Sequence, residues 1–205
     1  VLFGDVIRSR REPIAATEWL RALTADLTET YAADQRLAPF EFTQGDEIQG
    51  LLAPTADPLR AVLRAVLHPD AVKMRWVVVA GEVDPGRGPA TQRSGTAFIA
   101  ARERLAMAVA RRELLAVVSG DAATDALLEG LAPLLGELLA DLTKRQREIG
   151  WPILVEGLRR SEAAERLHVS RATISVAADR AHLRGIGELA RVIGTLLARV
   201  TVTAG

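Results

Sequence analysis

Residues Ser161 to Ala181 read SEAAERLHVSRATISVAADRA. Ala163, Ala164 and Leu167 recur at the spacing of one face of a short helix, and Ala164 is small enough for a second helix to cross close above it. Val169 fills the turn, and the Ser170 hydroxyl can cap the second helix by accepting from an otherwise unpaired backbone N–H. Ile174 and Ala177 then face back onto the first helix. Ser170, Arg171, Ala172, Thr173, Ser175 and Val176 are left outside, with Arg180 on a later turn. A second helix exposed in this way is what a helix-turn-helix presents to the major groove, so these seven residues are the candidate contacts to double-stranded DNA. His168 stands where such turns favour glycine, because the residue there adopts a positive φ; histidine tolerates that conformation better than most. Any two short amphipathic helices in an all-α domain share part of the pattern.

The charge distribution agrees with a DNA-reading carboxyl-terminal part. The chain of 205 residues has 26 Lys and Arg against 26 Asp and Glu. From Val1 to Leu142 the balance is 15 basic against 20 acidic, and from Thr143 to Gly205 it is 11 against 6. A segment that neutralises phosphates carries such an excess, and an excess this modest suits a dimer better than a lone domain. The absence of cysteine excludes disulfides and thiolate metal sites and points to a reducing cytoplasm. No run of about 18 apolar residues is present, so the expectation is a cytoplasmic protein with no membrane partner.

Upstream, Val1 to Gly4 reads as a buried strand with Asp5 at its carboxyl end, followed by the basic loop of Arg8, Arg10 and Arg11. Trp19, Leu20, Leu23, Leu27 and Tyr31 recur at helical spacing between Pro13 and Asp34. Phe40 to Thr43 and Glu47 to Leu52 form a hairpin about the turn Gln44-Gly45-Asp46. Leu59 to Leu67 is a second amphipathic helix, Met74 to Ala80 a strand, and Asp84 to Ser94 a Pro/Gly-rich loop. Thr96 to Arg112 is a third helix and Leu114 to Val118 a last strand. The order β-α-β-β-α-β-α-β predicts an α+β domain of ferredoxin-like type, with its helices on one face of the sheet.

Asp121 caps a helix from Ala122 to Leu142 whose leucines cover more than one face. Either a homodimer or a packed linker helix satisfies so much leucine, and the homodimer is the expectation because recognition helices work in pairs. Pro152 should kink or break the helix that opens the last part, and Leu189 to Val200 is a final helix before a frayed tail. The organisation expected is thus an α+β domain over 1–120, a linker or dimerisation helix over 121–142, and an all-α helix-turn-helix domain over 143–205. The three histidines, His68, His168 and His182, show no ligand spacing and read as surface or turn residues.

Asp5, Asp46 with Glu47, and Glu82 lie at strand ends or turns. If Asp5 and Asp46 converge, the pair invites Mg²⁺, and Mg²⁺ invites phosphates. Equally, Gly45-Asp46 is what a hairpin turn uses on backbone grounds alone.

Gly4-Asp5-Val6-Ile7-Arg8-Ser9-Arg10, Thr43-Gln44-Gly45-Asp46-Glu47-Ile48-Gln49-Gly50-Leu51-Leu52, Arg75 with Ala80-Gly81-Glu82-Val83, and Gly95-Thr96-Ala97-Phe98 through Ala101-Arg102 resemble, in order, the blocks of the SatD family. That resemblance implies a bacterial protein of the same two-part architecture. More distantly, the first part is similar to the catalytic domains of class III nucleotide cyclases and diguanylate cyclases. The similarity implies metal ligands at Asp5 and Asp46, a nucleotide bound with Glu47, Glu82 and Arg102 about it, and a transition-state arginine at Arg102. Two positions depart from that pattern: Phe98 where those enzymes have an asparagine, and Phe42 where they have a base-selecting lysine. Loss of a donor to developing charge costs a hundredfold or more in rate. The expectation is therefore a transcriptional regulator that senses a nucleotide or Mg²⁺ without turning it over. A Mg²⁺-dependent nucleotidyl cyclase or transferase, and a non-catalytic protein-interaction module, are the alternatives.

Overall fold

The computed structural model describes residues 1–7, 13–43 and 46–203. The Arg8, Arg10 and Arg11 cluster and the Gln44-Gly45 turn lie outside the described residues.

Alternating apolar side chains on both faces make β1 (Leu2–Val6) the centre of a five-stranded sheet. It is followed by α1 (Pro13–Thr30), β2 (Arg36–Phe42), β3 (Glu47–Leu52), α2 (Leu59–Leu67), β4 (Met74–Val79), α3 (Thr96–Arg111) and β5 (Leu115–Val118). The strand order is β2-β3-β1-β4-β5. β1 pairs antiparallel with β3, Asp5 opposite Glu47, and with β4, Asp5 opposite Arg75. β4 and β5 are parallel, with Trp76 opposite Leu115. The fold is therefore α+β with a mixed sheet.

Two buried apolar layers lie on the two faces. Leu2, Val6, Trp76 and Val78 meet Leu20, Leu27, Leu59 and Val62 of α1 and α2. Phe3, Val77 and Val79 meet Ala97, Phe98, Ala101 and Ala108 of α3. The expectation of helices on one face is thus corrected. A parallel β4-α3-β5 unit needs a crossover, and α3 makes it across the face that α1 and α2 leave open. Its alanines let it lie close to the strands.

The remaining helices are α4 (Ala122–Ala140), α5 (Lys144–Gly150), α6 (Arg160–Arg166), α7 (Arg171–Arg180) and α8 (Leu183–Thr203). Asp121 caps α4 by accepting from the Thr124 N–H at 2.8 Å. α4 packs on β5 with one leucine face and on α8 with part of the other. Gly136 permits the first contact: a Cβ there would stand 2.8 Å from the Leu115 backbone nitrogen. α8 starts at Leu183, six residues earlier than Leu189, because Ile186 joins the buried face. Pro152 does not stop the chain after α5. It is accommodated in a π-helical turn over Trp151–Val155 that continues directly from Gly150.

One buried apolar cluster runs without a break from Leu2 and Trp76 through Leu128, Leu135 and Ile149 to Ile174, Leu183, Ile186 and Ile193. The sheet and the carboxyl-terminal helices therefore share a core. Among the described residues no helix is long and apolar enough to cross a membrane.

His68 is not simply a surface residue. Its ring sits 4.7 Å from Trp19 of α1 and 5.6 Å from Trp151 beyond α5, and burial pushes its pKa below the ordinary value. The Arg64 guanidinium covers the Trp151 ring at 5.1 Å and pairs with Asp26. Aromatic edges and a cation over a ring thus tie α1 and α2 to the helical part.

Candidate functional site

The helices α6 and α7 are joined by the turn Leu167 to Ser170. The His168 N–H donates to the Glu165 carbonyl at 3.2 Å and the Val169 N–H to the Ala164 carbonyl at 3.0 Å. That is the double hydrogen bond of a Schellman ending, and it needs a left-handed residue at its hinge. His168 takes that conformation, with φ 53°. Val169 tucks against the core, and the Ser170 hydroxyl accepts from the Thr173 N–H at 3.0 Å, so α7 starts immediately after the turn. Ala163, Ala164, Ile174 and Ala178 are buried between the two helices and their neighbours.

What α7 leaves outside is its amino-terminal half. Arg171, Ala172, Thr173 and Val176 are exposed with Ser170, Ser175 is half-buried, and Arg180 is exposed one turn beyond Val176. Val176 is a large apolar side chain left 51 % exposed. Around this face several arginines are already paired: Arg159 with Glu162 and Arg160 with Asp179, both at 2.8 Å, Arg166 with Glu156 at 2.6 Å, and Arg184 with Glu188 at 2.8 Å. Arg171 is only 3.9 Å from Glu165, and both are exposed to solvent, so this pair is loose.

At the other candidate site the sheet brings together Asp5, Asp46 and Glu47. Asp5 faces Glu47 across the β1–β3 register, and the Val6 N–H donates to the Asp46 carbonyl at 2.9 Å. Burial pushes the Asp5 carboxyl above its ordinary range, and the charges of Asp46 and Glu47 push the same way; Arg75 opposes them. Arg102 lies on the same face, its guanidinium 5.7 Å over the Phe3 ring. Glu82 does not join them. It follows the far end of β4, whereas Asp5 pairs with Arg75 near the start of that strand, and its carbonyl accepts from the Ala97 N–H at 3.1 Å to anchor α3.

Four further residues that the sequence motifs do not mark as site residues complete this corner. Arg75, buried inside β4, donates to Asp5 at 3.1 Å and to the Glu113 carbonyl at 2.9 Å. The Glu113 carboxylate pairs with buried Arg104 at 2.5 Å, and buried Gln49 donates to Glu47 at 2.6 Å. A signal for Arg75 was present, since a cation inside the apolar run MRWVVV has to be paired.

Asp5 therefore already has a cation, Arg75, on its Oδ2. Among the described residues no group of three His, Cys, Asp or Glu side chains is arranged to hold a metal ion. Phe98 is 5 % exposed, its ring centroid 6.1 Å from that of Phe3. It belongs to the core on this face and offers no donor to a ligand.

No family model, no curated protein and no solved structure matches this chain.

Proposed function

We propose that this protein is a DNA-binding transcriptional regulator of SatD-like architecture, with a ferredoxin-like amino-terminal part and a helix-turn-helix formed by α6 and α7. The observation that carries the reading is the α6–α7 pair itself. It has a left-handed turn residue, a capped second helix and a buried inner face, and it leaves the outer half of α7 uncovered from Arg171 to Val176. The strand order β2-β3-β1-β4, antiparallel throughout, supports the ferredoxin-like reading, with β5 added at the edge. Leu127 and Leu134, one heptad apart on α4 and 56 % and 48 % exposed, support pairing of two copies.

The ligand side of the proposal is a nucleotide, with or without Mg²⁺, sensed at Asp5, Asp46, Glu47 and Arg102 and not turned over. Its support is the negative charge that Asp46 and Glu47 set about Asp5, with Arg102 over Phe3 on the same sheet face, together with a buried phenylalanine where a transition-state donor would be needed. Arg75, which donates to both Asp5 and the Glu113 carbonyl, couples the corner to the start of β5. Titration with ATP and GTP in Mg²⁺, against an Asp5→Ala/Asp46→Ala variant, tests this part alone. The proposal expects saturable binding lost in the variant; heat in neither protein removes the sensor.

The regulator itself is tested by repeated selection of duplexes from a random-sequence pool. The proposal expects a defined motif that is lost with Val176→Asp, because a carboxylate placed on this face repels phosphates and contacts no base favourably. A pool that stays random removes it. In that case the ion pairs of Arg159, Arg160, Arg166 and Arg184 favour the protein-interaction reading, in which the helical surface is self-neutralised and meets another protein.

A further inference from the structure

Trp76 stands in the middle of β4, 1 % exposed, with its indole folded over Gly4. Its Nε1–H meets no acceptor among the described residues, and the same holds for the Nε–H of Arg147 on α5. A buried donor without an acceptor is unfavourable, and native folds contain few. These two line one cavity of about 100 Å³ between α2, β4, β5, α4 and α5.

The rest of the lining sets the chemistry. Val62, Val66, Val72, Met74, Leu115 and Leu139 supply aliphatic and thioether walls, and Lys73 is the one further polar side chain. No carboxylate, amide or hydroxyl side chain lines the cavity, so its polar side chains, Lys73, Trp76 and Arg147, are donors and two of them are cationic. A complementary ligand is an anion with acceptor oxygens at one end and an apolar body at the other. A tetrahedral anion such as phosphate would turn its remaining oxygens onto valine and leucine. A planar carboxylate places both oxygens toward Arg147 and Trp76 and its carbons against the walls. A dry cavity of about 150 Å³ takes the six carbons of benzene, so this one takes about four or five non-hydrogen atoms.

We propose that this cavity binds a short-chain aliphatic monocarboxylate of acetate or propionate size, held by Arg147 and Trp76. The site joins the sheet to α5, the helix that opens the carboxyl-terminal part. A ligand there bridges α5 and β4. An effect on DNA affinity rests on the regulator reading given above; the binding itself does not.

The test is calorimetric titration of the full chain at fixed ionic strength with acetate, propionate, hexanoate, propionamide and phosphate. Arg147→Gln and Trp76→Phe variants are titrated alongside, each checked for folding by its melting temperature. We expect saturable propionate binding with a dissociation constant of about 0.1–1 mM, the range open to so small a ligand. Propionamide, phosphate and hexanoate bind at least about tenfold more weakly. Arg147→Gln loses about tenfold or more, and Trp76→Phe, which keeps the ring and removes the N–H, loses about threefold to tenfold. No saturable carboxylate binding below about 20 mM overturns the assignment. So does equal affinity for propionamide, or undiminished binding in either folded variant.

Discussion

Asp5 shows what a carboxyl experiences when a sheet gathers acids around it. Burial raises its pKa first, Asp46 and Glu47 add to the rise, and Arg75 offsets part of it. A carboxyl held above its unfolded value contributes stability below that value, about 4, and loses the contribution as pH rises through the folded value. At pH 7 the charged form is therefore a burden, and Asp5→Asn should melt higher than the wild type, with the gap narrowing toward pH 4. Thermal melts across that range check it; a lower melting point at pH 7 would mean that the Arg75 ion pair outweighs burial. His168 is a second residue under local strain, since a non-glycine side chain at φ 53° is disfavoured. His168→Gly should stabilise the chain by up to about 1 kcal/mol, measured by urea denaturation. The turn position of His168 was legible because its need for a positive φ is local. The partnership of Asp5 with Arg75 was not, because it depends on β4 lying antiparallel to β1, a pairing 70 residues apart in sequence.

Short-range pattern carries the bounds of individual elements. The strand Glu47–Leu52 and the helix Leu59–Leu67 occupy the residues that alternation and helical spacing give them. What spacing does not carry is which face of the sheet a helix takes, so α3 was expected beside α1 and α2 and lies on the other side. The same limit applies to α4: its leucines announced two partners, and part of the second is α8 of the same chain. His68 was missed as a packing residue because both rings it touches come from distant helices. At this scale the cap of α7 is the sharpest test. Removing the Ser170 hydroxyl leaves the Thr173 N–H unpaired at the amino end of the helix. Ser170→Ala should cost about 1 kcal/mol of stability by denaturant titration, and Ser170→Asp should retain most of it. Equal stability of all three proteins would mean that the start of α7 is held by packing alone.

At the scale of the whole molecule, an acidic sheet half and a basic helical half share one buried core. A ligand that shifts α5 or the Arg75 ion pair acts on a structure in which Ala164, Ile174 and Ala178 of the α6–α7 pair share their buried cluster with the sheet. Coupling of this kind is a difference in affinity between two arrangements, and it is reciprocal. The exposed α7 face, with loosely held Arg171 and exposed Arg180, is the surface proposed to meet phosphates and bases. The most direct measurement is the salt dependence of affinity for the duplex selected by the wild type, read by fluorescence anisotropy between about 50 and 200 mM salt. Counterion release predicts a steep linear fall of log affinity with log salt, and Arg171→Ala and Arg180→Ala should each flatten the slope by about one unit. A flat dependence, or the same slope in both variants as in the wild type, would contradict the assignment of α7 as the DNA-reading helix.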